Sequence, residues 1–116
     1  MKFDPELMRS ILLDAEGIPA GQAVSGFNYE GRDQAEVNRH TQILIDEGFL
    51  EGTWQRNRHH FPLYFYITDL TYRGHQFLAN AKNDSRWKRA ISTIKDSGKS
   101  LSIAVIEAVL VKIATE

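Results

Sequence analysis

Five consecutive side chains near the middle of the chain can donate hydrogen bonds to an anionic ligand. They are Arg56, Asn57, Arg58, His59 and His60. Two guanidinium groups separated by one amide suit phosphate oxygens, and each imidazole gains a proton below about pH 6.5. Such a tip could lie against a phosphate backbone or enter a minor groove. Because turns are polar in any case, the alternative is an ordinary solvated turn.

The segment at residues 33–47 has helical periodicity, and its polar side chains are of types that read base edges. Amides pair with adenine and arginine pairs with guanine. The polar residues expected to lie mostly away from the apolar face are Gln34, Asn38, Arg39 and Gln42. Of these, Arg39 and Gln42 are the candidate DNA contacts. Carboxylates on the same segment would repel phosphates, which favours an ordinary solvated face instead; they belong to Asp33, Glu36, Asp46 and Glu47.

A second basic stretch, KNDSRWKRAISTIK, covers residues 82–95. On a helix, Arg86 and Arg89 would share a side and add non-specific affinity for phosphates. Lysine and arginine are common on exposed helix faces, so a solvated face is the simpler interpretation.

The sequence contains no motif for catalysis or metal binding. It has no cysteine, which excludes disulfides and cysteine-ligated zinc or iron–sulfur sites. His59 and His60 would point in opposite directions on a strand, and His40 and His75 lack the H-E-x-x-H spacing. The chain has no Walker A loop, no G-x-G-x-x-G and no nucleophile elbow. We therefore predict a protein that is not an enzyme and that holds no metal and no cofactor.

Length and composition indicate one globular domain. The chain has 116 residues, of which 42% are hydrophobic and 25% charged, which is ordinary for a folded domain. The net charge of −1 argues against a basic nucleic-acid binder overall, although residues 63–116 carry eight basic and five acidic side chains. No signal peptide and no apolar run of the roughly 20 residues needed to span a bilayer is present. We expect a cytoplasmic protein with no membrane partner.

Start and stop signals predict the first two helices. Asp4 is a suitable N-cap and Pro5 a suitable first residue for the first helix. Gly17 is predicted to end that helix in the left-handed conformation. The helix at residues 33–47 is predicted to end at Gly48.

The hairpin is predicted from composition and alternation. Residues 18–32 are rich in glycine and show no helical periodicity, and a short strand at residues 22–24 is the one element expected there. The segments FLEGTWQR and LYFYIT are enriched in β-branched and aromatic residues, so we predict two strands joined by the basic tip. Apolar and tyrosine side chains alternate at residues 63–67, which is typical of a half-buried strand.

Three further helices are predicted after the hairpin. Thr68 or Thr71 caps the third, and Asp84 opens the fourth. Ser100 is predicted to cap the last helix, which covers residues 101–114.

Four parts of the sequence carry a resemblance to a known family. They are EVNRHTQILIDEGFLEG at residues 36–52, LTYRGHQFL at residues 70–78, Trp87, and SLSIAVIEAVL at residues 100–110. In this order and spacing they resemble small winged-helix-like proteins of unknown function that are common in bacteriophages and prophages. The resemblance covers nearly the whole chain and implies a fold rather than an activity. The matching residues that look like core are Val37, Leu44, Phe49, Leu70, Phe77 and Trp87.

The order helix, short strand, helix, hairpin, helix is that of a winged-helix core. We predict an α+β fold, mainly α, with a winged-helix-like core and a β-hairpin wing followed by two C-terminal helices. A single domain over residues 1–116 is expected, with the core at 1–81 and a helical extension at 82–116. A DNA-binding helix-turn-helix needs one more helix ahead of its recognition helix. None is expected in residues 18–32, which argues against insertion into a groove.

The last helix is apolar on almost every side, which predicts that most of its surface is buried. Its polar residues Ser102, Glu107 and Lys112 do not gather on one face. We expect this helix to pack on the first helix and also against a second copy or another partner, with a two-fold homodimer as the favoured arrangement. The side chains predicted at the dimer interface are Leu101, Val105, Ile106, Val109, Leu110 and Ile113.

Two functions remain open from the sequence. The first is a dimeric transcriptional regulatory module that binds double-stranded DNA through Arg39, Gln42 and the tip at residues 56–60. The second is a protein-interaction scaffold, such as a phage accessory protein that binds a host protein and no DNA. Its anchors would be the aromatic residues Trp54, Tyr64 and Tyr66. The basic tip and the element order favour DNA, whereas the acidic helix and the near-neutral charge favour the scaffold.

Overall fold

Five helices and one hairpin form the part of the chain that the computed structural model describes, which is residues 1–56 and 62–116. In chain order they are α1 (Pro5–Glu16), α2 (Gln34–Asp46), β1 (Leu50–Arg56), β2 (Pro62–Leu70), α3 (Tyr72–Ala81), α4 (Asp84–Asp96) and α5 (Ile103–Ala114). The two strands form one antiparallel sheet. The predicted fold class is confirmed: the chain is α+β and mainly helical, and two helices follow the hairpin and α3.

Side-chain caps start the helices where short-range sequence signals predict. The Asp4 carboxylate accepts hydrogen bonds from the backbone N–H groups of Glu6 and Leu7, and the Thr71 hydroxyl accepts one from Gly74. Two predictions at helix ends are wrong. Ser102 rather than Ser100 caps α5, and Gly17 ends α1 with a right-handed φ of −80°. Ser102 is the cap because its hydroxyl accepts a hydrogen bond from the backbone N–H of Val105, three residues later.

Residues 18–32 contain no helix, as the sequence predicts. The short strand predicted at residues 22–24 is reduced to one pairing, in which Val24 and Ile67 of β2 exchange two backbone hydrogen bonds of 2.9 and 3.0 Å. The Tyr29 hydroxyl donates to a carboxylate oxygen of Asp14 at 2.6 Å. Burial and this carboxylate raise the pKa of Tyr29. The segment is therefore fastened to both β2 and α1.

Two glycines allow close approaches between backbone segments. A Cβ atom on Gly74 would lie 2.2 Å from the carbonyl oxygen of Phe49, and one on Gly52 would lie 2.4 Å from that of Tyr66. The first contact docks the start of α3 on the turn before β1. The second brings β1 against β2 beside a register shift between Glu51 and Gly52.

One cluster of buried apolar side chains receives residues from all five helices and both strands. The six side chains predicted as core are each at most 4% exposed, so that prediction is confirmed. The helix α5 packs on α3 and α4. The prediction that it packs on α1 is wrong, because its main helical neighbours are α3 and α4.

Two arginines join elements that are distant in sequence. Arg9 of α1 donates to the carbonyl oxygens of Ala81 and Lys82 at 2.8 and 3.0 Å and forms a salt bridge of 2.5 Å with Asp84. Arg73 of α3 donates to the carbonyl oxygen of Glu47, lies 4.3 Å from the ring centre of Phe49 and forms a salt bridge with Glu107 of α5. Arg9 therefore joins α1 to the junction between α3 and α4, and Arg73 joins the end of α2 and the start of α3 to α5.

Candidate hairpin interface

The outer face of the hairpin is the most exposed aromatic surface on the described strands. Thr53 pairs with Tyr66 and Gln55 pairs with Tyr64 across the ladder, so these four side chains share one face. Tyr64 and Tyr66 are 63% and 62% exposed, whereas Phe65 and Ile67, on the other face, are buried in the core. The alternation predicted for this strand is confirmed at residues 64–67.

No carboxylate occurs anywhere from residue 52 to residue 67. The whole chain has 15 acidic residues among 116, so a stretch of this length would be expected to contain about two. Glu51 and Asp69 stand at the base of the hairpin, next to the core. The distal part of the hairpin therefore contributes no carboxylate of its own.

Arg56 lies at the distal end of the described part of β1. Its guanidinium group is 5.2 Å from the ring centre of Trp54, a distance at which cation and ring attract each other. The indole N–H of Trp54 donates to a carboxylate oxygen of Asp46, the last residue of α2, at 2.8 Å. Trp54 is half-buried and bound within the chain, so its prediction as an exposed anchor is wrong. It fixes the hairpin against α2.

The remaining candidates at the tip, Asn57, Arg58, His59 and His60, lie outside the described residues. Their roles stay predictions from the sequence.

The two candidate DNA contacts on α2 bind each other. A guanidinium N–H of Arg39 donates to the side-chain oxygen of Gln42 at 3.0 Å, and Gln42 is only 3% exposed. The prediction that Gln42 lies away from the apolar face is wrong. The helix packs against α1 and against both strands, so its buried face is wider than one helical stripe. Arg39 itself is exposed.

The first turns of α2 are fastened to the preceding segment. The side-chain N–H₂ of Gln34 donates to the carbonyl oxygen of Phe27 at 2.9 Å and to the side-chain oxygen of Asn38 at 2.8 Å. Four carboxylates on or beside this helix are exposed, namely those of Asp33, Glu36, Asp46 and Glu47. The exposed surface of α2 is thus mainly acidic, as the sequence predicts.

His40 is a buried packing residue, 1% exposed and stacked on Phe3 with ring centres 5.5 Å apart. Its Nε2 accepts a hydrogen bond from the backbone N–H of Asp4 at 2.9 Å, so the ring proton lies on Nδ1, which donates to the carbonyl oxygen of Glu36 at 2.8 Å. Arg32 pairs with the Asp4 carboxylate. Burial raises the pKa of Asp4, but hydrogen bonds from Arg32 and from backbone N–H groups outweigh burial and lower it. This cluster joins the starts of α1 and α2.

The residues predicted at a dimer interface do not share one environment. Ile106 and Leu110 are 0% and 1% exposed within the single chain, so a second copy has no surface of theirs to cover. Their assignment to an interface is wrong, because they fill the space between α5 and the helices α3 and α4. The half-buried residues, packed against the same core, are Leu101, Val105, Val109 and Ile113. The sequence pattern misses the exposed apolar positions of α5, which are Ala104, Ala108, Val111 and Ala114.

None of the helices in the described ranges is long and apolar enough to cross a membrane.

The fold and this surface define a small, mainly helical α+β protein with a hairpin-borne candidate interface. The chain belongs to the family described as "Hypothetical protein (DUF2513)", whose model matches residues 2–100. It is also 30% identical over 110 residues to a protein of Haemophilus influenzae (strain Rd) described as "Uncharacterized protein", covering 94% of this chain and 92% of that protein. No solved structure matches the chain. The predicted membership of a family of unknown function is confirmed.

Proposed function

We propose that the protein is a winged-helix-like module that binds double-stranded DNA by contacting the phosphate backbone with its hairpin. The observation that carries this proposal is the outer face of the hairpin. Tyr64 and Tyr66 are exposed on this face, and Arg56 is exposed beside Trp54, whose side chain lies on the opposite face, within a stretch that contains no carboxylate.

The chemistry of this face suits a polyanion. Phosphate oxygens accept hydrogen bonds from threonine, glutamine and tyrosine side chains, which this face presents, and from arginine, which Arg56 supplies at the distal end of β1. Attraction between arginine and phosphate is long-ranged, and nearby carboxylates would cancel it. Phosphate binding therefore requires an acid-free surface of the kind that the distal hairpin provides.

The order of elements also supports this proposal. The helix α1, the bridging residue Val24, the helix α2 and the two strands follow the order of a winged-helix core that lacks the helix before the recognition helix. In that arrangement α2 takes the place of the recognition helix and the hairpin takes the place of the wing. Burial of Gln42 and its bond with Arg39 leave α2 poorly equipped to read bases. Binding is thus expected to depend little on DNA sequence. The phage or prophage origin stays a prediction.

Fluorescence anisotropy of a labelled random duplex, measured at several salt concentrations, tests the proposal. Affinity should fall steeply with salt, and Arg56→Ala should lower the slope of log K against log salt by about 0.9 because one phosphate contact is lost. Replacing both exposed tyrosines by alanine should weaken binding by roughly tenfold, as expected for the loss of two hydrogen bonds.

The matched control for Arg56→Ala is Lys88→Ala, which removes one positive charge from the exposed surface of α4. It should leave the salt slope unchanged. Circular dichroism of each variant checks that the fold is retained. Absence of binding at low salt, or an equal loss of slope in both variants, would contradict the proposal.

A second candidate, the protein-interaction scaffold, is favoured by the acidic surface of α2 beside the hairpin. Exposed tyrosines are common anchors of protein interfaces, and the carboxylates of Glu36 and Glu47 would repel DNA. The two functions are separated by incubating wild-type protein and the double tyrosine variant with nuclease-treated lysate. A protein retained only by the wild type, together with no affinity for duplex DNA, would favour the scaffold.

A further inference from the structure

A cleft lies where the start of the chain meets the turn between α4 and α5. Its volume of about 640 Å³ is within the range of ligand-binding clefts, which is roughly 300–1,000 Å³. Three lysines line the cleft, namely Lys2, Lys95 and Lys99, and no carboxylate of the described ranges lines it. The cleft therefore presents charge of one sign to a ligand.

The ammonium groups of these three lysines form no salt bridge with any residue in the described ranges. Glu6 and Asp96 line a neighbouring groove that shares Lys95 with the cleft, but neither carboxylate pairs with that lysine. A cleft lined by one sign of charge concentrates its electric field and attracts counter-ions. An anionic ligand would supply the partners that the three lysines lack.

Two serine hydroxyls of the same lining can add hydrogen bonds to an anion. The Ser102 hydroxyl accepts the backbone N–H of Val105 at 3.2 Å, so its own proton remains available to a ligand. Ser100 also lines the cleft and is exposed. Ammonium and hydroxyl groups are donors that phosphate oxygens accept, and several positive charges match a phosphate better than a single carboxylate.

The turn that carries Lys99 is fixed by contacts within the chain. Gly98 has a φ of +76°, a conformation that glycine adopts readily. The Ser97 hydroxyl donates to the carbonyl oxygen of Ile94 at 2.7 Å and accepts the backbone N–H of Lys99 at 3.3 Å. The backbone of this turn is thus in place before a ligand arrives, which lowers the entropic cost of binding.

The cleft also has an apolar wall. Phe3 and Leu101 line it, and both are half-buried against the core. The Phe3 ring stacks on the buried ring of His40 with centres 5.5 Å apart, which limits its movement. An aromatic ring held in this way offers a surface on which a flat part of a ligand can pack.

We propose that this cleft binds a small organic phosphate, with its phosphate groups on the lysines and its apolar body against Phe3 and Leu101. One inorganic phosphate would fill a small part of the volume, which is about twenty times the share of one water molecule in the liquid. A nucleoside diphosphate has both parts that the lining calls for, namely several negative charges and a flat base. The site is separate from the hairpin and does not depend on DNA binding.

Isothermal titration calorimetry with ADP, in a phosphate-free buffer at low salt, tests the proposal. Adenosine and inorganic phosphate should each bind at least about tenfold more weakly than ADP, because each lacks one of the two parts. Lys99→Ala should weaken ADP binding by at least about tenfold, since one charge-assisted contact is lost. The matched control Lys88→Ala removes an exposed lysine of α4 that does not line the cleft, and it should leave the affinity unchanged.

Three results of this titration would overturn the proposal. They are no binding at millimolar ADP, equal affinity of Lys99→Ala and the wild type, and equal affinity for ADP and inorganic phosphate.

A second experiment locates the ligand and separates this site from the hairpin. In NMR spectra, ADP should shift the backbone amide signals of residues 98–102, and Arg56→Ala should leave ADP affinity unchanged. Failure of DNA binding would then leave the cleft proposal standing. Shifts confined to the two strands would overturn it. No affinity for ADP, together with weaker binding of duplex DNA by Lys99→Ala, would also overturn it and would assign these lysines to a DNA surface.

Discussion

Alanine at Gly74 should destabilise the protein, although alanine is normally the better residue in a helix. The new Cβ would lie 2.2 Å from the carbonyl oxygen of Phe49 and 3.2 Å from Cβ of Leu70. The first contact is with backbone, which can yield only if the hydrogen bond of 3.0 Å between that oxygen and the N–H of Thr71 is also disturbed.

The expected magnitude combines three contributions. Overpacking costs about 1–3 kcal/mol, and weakening the hydrogen bond costs about 1 kcal/mol more. The higher helix propensity of alanine relative to glycine offsets about 1 kcal/mol of this loss. The net loss in free energy of unfolding is therefore about 1–3 kcal/mol, to be measured by urea denaturation from the midpoint and slope.

The substitution Gly17→Ala is the control for this prediction. Gly17 also has a right-handed φ, and its nearest contact for a new Cβ is an ordinary 3.4 Å. Alanine there should stabilise the fold by about 0.4–1 kcal/mol, because it restricts the unfolded chain. The test is that Gly74→Ala lowers the free energy of unfolding whereas Gly17→Ala raises it. A neutral or stabilising Gly74→Ala would show that the close approach between α3 and the turn before β1 is not rigid.

Three further substitutions probe single contacts. Arg9→Lys should cost about 1–2 kcal/mol in urea denaturation, since an ammonium group cannot reproduce the fork that joins two carbonyl oxygens and Asp84; an unchanged midpoint would contradict this. Because the folded-state pKa of Asp4 is lowered, its stabilisation is present above the unfolded value near 3.9 and is lost as pH falls through the folded value. Asp4→Asn keeps a capping side chain and should reduce the acid dependence of the urea midpoint between about pH 5 and 3; equal dependence in both proteins would be the contrary result. Trp54→Phe should cost at most about 1 kcal/mol, and Asp46→Ala, which removes the acceptor of the same hydrogen bond, should match it if that bond is the cause.

Features that depend on neighbours in sequence are predicted well. Asp4 and Thr71 cap their helices because the groups that they bind are two or three residues away. The alternation around Tyr64 and Phe65 likewise gives the two faces of the hairpin correctly. The choice between Ser100 and Ser102 fails because both residue types can cap a helix, and sequence alone does not show which hydroxyl accepts a backbone N–H.

Features that depend on tertiary contacts are predicted poorly. Gln42 has the chemistry of a DNA contact, but it is buried because α1 and both strands pack against α2. The periodicity of the helix in the sequence does not show how many elements pack against it. Trp54 has the chemistry of an exposed anchor, and the Asp46 carboxylate that binds it lies eight residues earlier. Similarly, α5 has enough apolar residues to predict an interface with a partner, but only the packing of the folded chain shows that Val111 and not Ile106 faces outward.

The position of Arg73 has a mechanical consequence. It binds the end of α2 just before the hairpin and also binds α5, and its guanidinium lies on the Phe49 ring between them. In a pair of chains joined through α5, each hairpin would therefore keep a fixed position and orientation relative to the α5 helix of its own chain. The distance between the hairpins would be set by the packing inside each chain, so such a pair would fit ligand sites at one separation.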